Sequence, residues 1–173
     1  MKRFIAAFLS IIIFFVLQTT VIKWIAFGGI VPNILIILTA TCGMTRGEKE
    51  GLWVGFFCGL LCDIFFGSFI GLNAILYMYL GYLNGKFHQV FYPDDIKLPL
   101  ILIITSDLLY SLSFYTIMFL LRGRFDFSYY FLNIILPELV YTIFASLFIY
   151  PILLFIHKKL DKITNNRGIG FAG

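Results

Sequence analysis

Charge is scarce in this chain. Asp, Glu, Lys and Arg make up 13% of its 173 residues, where an average soluble domain has roughly 25%. The connections between its apolar runs are only a few residues long, which leaves no room for a soluble domain. No P-loop pattern is present either, so ATP hydrolysis and nucleic-acid handling have nowhere to reside. Ser68, Ser106, Ser111 and Ser146 lack the Gly-x-Ser-x-Gly context of a hydrolase nucleophile. Cysteine is limited to Cys42, Cys58 and Cys62, an odd number in apolar surroundings without a second ligand cluster. They read as reduced packing thiols rather than a disulfide or metal framework. His88 and His157 fall at helix ends, where the membrane interface and the helix dipole account for them.

What is abundant is apolar: 61% hydrophobic and 19% aromatic residues, with a mean hydropathy of +0.97. This composition predicts an integral membrane protein. At about 20 residues per crossing, the length allows five or six helices. Residues 4–22 follow Met1-Lys2-Arg3 and could pass for a signal peptide. Their apolar run is too long for one, and the weak small-x-small site at Ala26 and Gly28 lies beyond Lys23, so the segment reads as a retained first helix. The second helix spans 30–45 with Pro32 in its first turn. Arg46-Gly47-Glu48-Lys49-Glu50 forms a polar turn before a third helix from Gly51 to Ile70. The fourth spans 72–87, the turn signature Tyr92-Pro93-Asp94-Asp95 follows, and the fifth spans 98–121. The sixth, 129–156, is long enough to tilt or bend at Pro137 and Pro151. The reading is an all-α membrane protein of six transmembrane helices over 1–157, with a polar, disordered cytoplasmic tail over 158–173.

Six crossings put both ends on one side, and the basic residues choose which. With the ends inside, the cytoplasmic segments hold Lys2, Arg3, Arg46, Lys49, Lys86, Lys97, Lys158, Lys159, Lys162 and Arg167. Lys23, Arg122 and Arg124 are left outside. The excess is on the cytoplasmic face.

Two features could carry function. Gly47, Gly51, Gly55 and Gly59 recur every four residues, and the same step lands on Asp63, Gly67 and Gly71. In lipid such small residues allow close backbone approach, so Gly51, Gly55 and Gly59 mark a helix contact or partner surface. Because a four-residue step overshoots a full turn by about 40°, the stripe drifts and suits a crossed neighbour. The second feature is a set of intramembrane acids, Asp63, Asp107 and Glu138, without Lys or Arg at the same depth. An ionised acid at a helix centre costs on the order of 3 kcal/mol, so all three face the bundle interior. They are read as protonated and hydrogen-bonded to Asn, Ser, Thr or Tyr, or as reached by a cavity or a partner. For Asp63 a structural and a functional role both stand, while Asp107 and Glu138 lean to structure. Asn73 either caps the fourth helix or meets Asp63 across the tight hairpin.

With Pro32-Asn33, Arg46-Gly47, Gly55-Phe56, Gly59-Leu60, Asp63 and Gly71-Leu72-Asn73-Ala74, the chain resembles the rod shape-determining protein MreD family. The specific part covers residues 32–74; the second half agrees only in size and hydropathy. The resemblance implies a non-enzymatic, multi-pass bacterial inner-membrane protein without cofactors. Such a protein accompanies MreC, the MreB filament and the enzymes that insert side-wall peptidoglycan. It also implies a fold similar to the substrate-binding subunits of energy-coupling-factor transporters. Residue by residue, the pattern picks out Arg46, Gly55, Gly59, Asp63, Gly71 and Asn73. On these grounds the chain is expected to be a scaffold whose glycine surface, or whose fifth and sixth helices, pack on the transmembrane helix of MreC. The alternative is a vitamin-type binding subunit of a transporter, with Asp63, Asn73, Asp107 and Glu138 lining a pocket. A lipid-modifying enzyme ranks last for want of a nucleophile or metal ligands.

Overall fold

A backbone that enters lipid must satisfy its own polar groups, and an apolar chain does so most simply as helices. The computed structural model, which describes residues 2–25, 31–67, 69–91, 96–122 and 127–165, has only helical elements among those residues. They are α1 (Lys2–Ile25), α2 (Ile34–Arg46), α3 (Glu48–Phe66), α4 (Leu72–Lys86), α5 (Lys97–Arg122), α6 (Phe127–Tyr130) and α7 (Leu136–Asn165). A 3-10 turn at Phe87–Val90 follows α4, and a π-helical turn at Phe131–Ile135 joins α6 to α7. Two stretches, Lys97–Phe119 and Ser128–Lys159, are long and apolar enough to cross a membrane; the apolar parts of α1 and α2 are shorter.

Several boundaries differ from the sequence reading, each for a local reason. Pro32 lies before α2, not in its first turn, because Asn33 is the N-cap and its side chain accepts from the Ile36 N–H at 3.4 Å. The polar stretch after α2 shrinks to one residue, Gly47, held at φ +93° and ψ −179° where a side chain would be strained. Glu48 and Glu50 are instead in the first turn of α3, where carboxylates meet the positive end of the helix. The same helix stops at Phe66 rather than Ile70. At the other end of the chain, α7 continues past Lys158 and Lys159 to Asn165, so the start of the tail is helical. Tyr92 to Asp95, residues 123–126 and residues 166–173 lie outside the described residues.

The π turn has an evident cause. Pro137 has no N–H to return to the preceding turn, and the hydrogen-bond ladder is locally re-spaced. At the start of this turn the Asn133 side-chain amide donates to the Tyr129 carbonyl at 2.9 Å.

At the centre stands α2. Every residue from Ile34 to Met44 is buried, and α1, α3, α4, α5 and α7 all touch it. At about 1.5 Å per residue its 13 residues reach only about 20 Å, shorter than a bilayer core. It is apolar all round because it is enclosed all round.

The tightest packing joins α3 to α4. A Cβ on Gly55 would collide with the carbonyl of Tyr77, one on Gly59 with that of Asn73, and one on Gly85 with the Glu48 backbone. Gly51 and Gly81 oppose each other's carbonyls, an arrangement suited to reciprocal Cα–H···O contacts. Each step of four along α3 is answered by a step of four backwards along α4. The stripe therefore serves an antiparallel hairpin along most of α3, not a neighbour crossing at one point. From α2, Gly43 meets the same node: a Cβ there would lie 2.7 Å from the Gly81 carbonyl oxygen. Glycines from three helices thus converge.

Candidate functional site

Asp63 sits in the last turn of α3, 1% exposed. One of its oxygens accepts the N–H of Gly71 at 2.9 Å and of Ala74 at 2.9 Å, and the other accepts the N–H of Asn73 at 3.1 Å. These are the amide groups that a helix start leaves without intrahelical partners. Asp63 is thus the cap of α4, supplied from the neighbouring helix. The sequence reading expected side-chain hydroxyls and amides around it; the donors are backbone. Gly71, the residue at the N-cap position, has φ +105° and no side chain to do this work. The two readings of Asn73 resolve in the same way: its backbone meets Asp63, while its own side chain faces elsewhere.

That side chain joins a second set of bonds. The Tyr110 hydroxyl donates to Asn73 Oδ1 at 2.9 Å, and the Tyr77 hydroxyl donates to Asn33 Oδ1 at 2.7 Å. The two phenol rings meet edge to face, centroids 5.1 Å apart. The Asn33 N–H donates to Thr142 Oγ1 at 3.2 Å, whose hydroxyl donates to the Glu138 carbonyl at 2.9 Å. Helices α2, α4, α5 and α7 are tied together through these groups. Tyr77, Tyr110 and Thr142 escaped the sequence reading, since buried tyrosines look like interfacial ones when only hydropathy is available.

Asn33, Asn73, Tyr77 and Tyr110 border a cavity of about 1060 Å³, bounded also by Gln18 of α1, Phe114 of α5 and Glu138 of α7. Of the four residues expected to line a pocket, Asn73 and Glu138 do so; Asp63 is occupied as a cap and does not. Asp107 does not either. It is 1% exposed, and neither of its carboxylate oxygens meets a hydrogen-bond partner among the described residues.

Arg46 ends α2 at the opposite end of the bundle and pairs with Glu50 at 3.3 Å. His157 is not an interfacial residue: it is 5% exposed, with Nδ1 2.9 Å from Thr45 Oγ1 and Nε2 3.7 Å from Cys42 Sγ. His88 Nδ1 lies 2.7 Å from the Met44 carbonyl. The three cysteines are free, Cys42 and Cys58 fully within the core. No group of three or more metal-ligating side chains occurs among the described residues. Gly51, Gly55 and Gly59 face α4 of their own chain.

Residues 2–160 of the chain match the family described as rod shape-determining protein MreD. No curated protein and no solved structure matches it significantly.

Proposed function

The chain belongs to the MreD family of rod shape-determining membrane proteins, and from that premise we propose that it is a non-enzymatic scaffold of the bacterial elongation machinery. In this reading it supports MreC- and MreB-directed peptidoglycan synthesis along the side wall. It crosses the inner membrane six times with both ends in the cytoplasm. The excess of basic residues on one side supports the orientation. His157 beside Thr45, and His88 beside Met44, draw the C-terminal ends of α2, α4 and α7 to one end of the bundle. That is the order six crossings require.

The observation that carries the scaffold reading is the outward face of α7. Phe144, Phe148, Ile152 and Phe155 lie within about a quarter turn of one another around the helix, each more than half exposed. The glycine surface is filled by α4, so a partner helix such as that of MreC is assigned to the α5 and α7 side instead.

The test is recovery of MreC with this protein from detergent-solubilised membranes. Changing Phe144 and Phe148 together to Ala is expected to reduce recovery and round the cells while leaving thermal stability in place. Unchanged recovery and normal rods would remove α7 from the interface.

A further inference from the structure

Three carboxamide side chains border the large cavity, and all three have their oxygen engaged by the protein. Gln18 Oε1 accepts from the Leu35 N–H at 3.1 Å, and Asn33 Oδ1 accepts from both the Ile36 N–H and the Tyr77 hydroxyl. Asn73 Oδ1 accepts from the Tyr110 hydroxyl. A backbone N–H can only donate, which decides for Gln18 and Asn33 which end of the amide is the oxygen. The amide nitrogens are left over, each carrying two hydrogens and no partner among the described residues. The carboxamides around this cavity thus have their acceptors engaged and their donors kept.

The rest of the lining narrows the occupant. No Lys, Arg or His is among the described residues that border the cavity, and Glu138 is. Among the described residues the one charged group offered to an occupant is thus a carboxyl, which favours a neutral molecule over a phosphate or other anion. Phe66, Phe114 and Phe119 supply flat apolar walls, against which the C–H faces of a sugar ring can rest while its oxygens meet the amides. The volume is that of a site for a small molecule rather than for a single water.

We propose that this cavity binds a neutral, oxygen-rich head of the sugar class, with the Gln18, Asn33 and Asn73 amides donating to its oxygens. The inference does not depend on the scaffold role, since it concerns binding by the isolated chain. Two sources share this chemistry: a glycolipid head reached from the membrane and a free saccharide.

The experiment uses the full chain held in amphipol and titrated, by calorimetry, with dodecyl maltoside below its micelle concentration. Dodecyl phosphocholine, with the same tail and a zwitterionic head that lacks hydroxyls, is the comparison. Maltoside is expected to bind at least about tenfold more tightly. Asn73→Asp keeps an oxygen for Tyr110 and Gln18→Glu keeps one for the Leu35 N–H, but each removes an amide donor. Each is expected to weaken maltoside binding by about tenfold with the melting temperature retained. Should Asn73→Asp fail to fold, Gln18→Glu, at a half-buried rim position, decides alone. Displacement by free maltose at comparable concentration identifies a soluble saccharide, whereas resistance to it identifies a lipid-borne head. Equal binding of the two detergents, or wild-type affinity in the folded donor-deleted proteins, overturns the proposal.

Discussion

Replacing Asp63 by asparagine separates a cap from a proton carrier in an unexpected direction. A protonated acid bonded to side chains would accept the exchange, but here both oxygens receive backbone N–H groups. The amide introduced by the substitution would turn a donor toward donors. We expect Asp63→Asn to cost about 1–3 kcal/mol, seen as a lowered melting temperature in detergent, whatever the protein does in the cell. Asp107→Asn is the contrast: with neither oxygen bonded, the change leaves no backbone donor facing a donor and is expected to lower the melting temperature less than Asp63→Asn. Tyr77→Phe leaves Asn33 without its strongest donor and is expected to cost about 1 kcal/mol by the same measurement. Burial cost alone drew attention to Asp107 and Glu138 in the sequence, whereas Asp63 was marked also by the glycine step and the family pattern, and Asn73 by that pattern and the near-absence of a connection. Whether a buried acid meets backbone, side chain or cavity depends on helix rotation, which apolar residues on every face leave undetermined.

Between elements, the α3 and α4 contact is so close that a single methyl group tests it. Gly55→Ala and Gly59→Ala would each place a Cβ against a carbonyl oxygen of α4. Overpacking of this kind typically costs about 1–3 kcal/mol, and the loss is expected in a thermal melt without any partner present. Gly71→Ala behaves differently: nothing lies near its Cβ position, so its cost, about 1 kcal/mol, comes from φ +105° alone. The four-residue spacing on α3 was legible as a packing surface, but its mate was not. Gly81 and Gly85 repeat the same spacing on α4, and matching the two series in reverse order could have paired them. The central position of α2 was also hidden. A helix enclosed by protein and a helix facing lipid carry the same kind of residues, so hydropathy counts them alike.

For the molecule as a whole, orientation is open to direct measurement. A reporter active only in the cytoplasm is expected to function when fused after Gly173, and one active only outside is expected to function when inserted between Phe66 and Leu72. The helical class was readable because little but helices suits so apolar a chain, whereas the way the helices surround a cavity depends on tertiary bonds such as Gln18 to Leu35. The cap formed by Asp63 has a consequence for biogenesis. Were α3 to enter the bilayer by itself, it would carry a naked carboxyl group and a strip of uncovered backbone into hydrocarbon. If α3 and α4 cross the membrane as proposed, the first half of α4 relieves both at once, and the pair is expected to enter the bilayer together, as a preassembled hairpin.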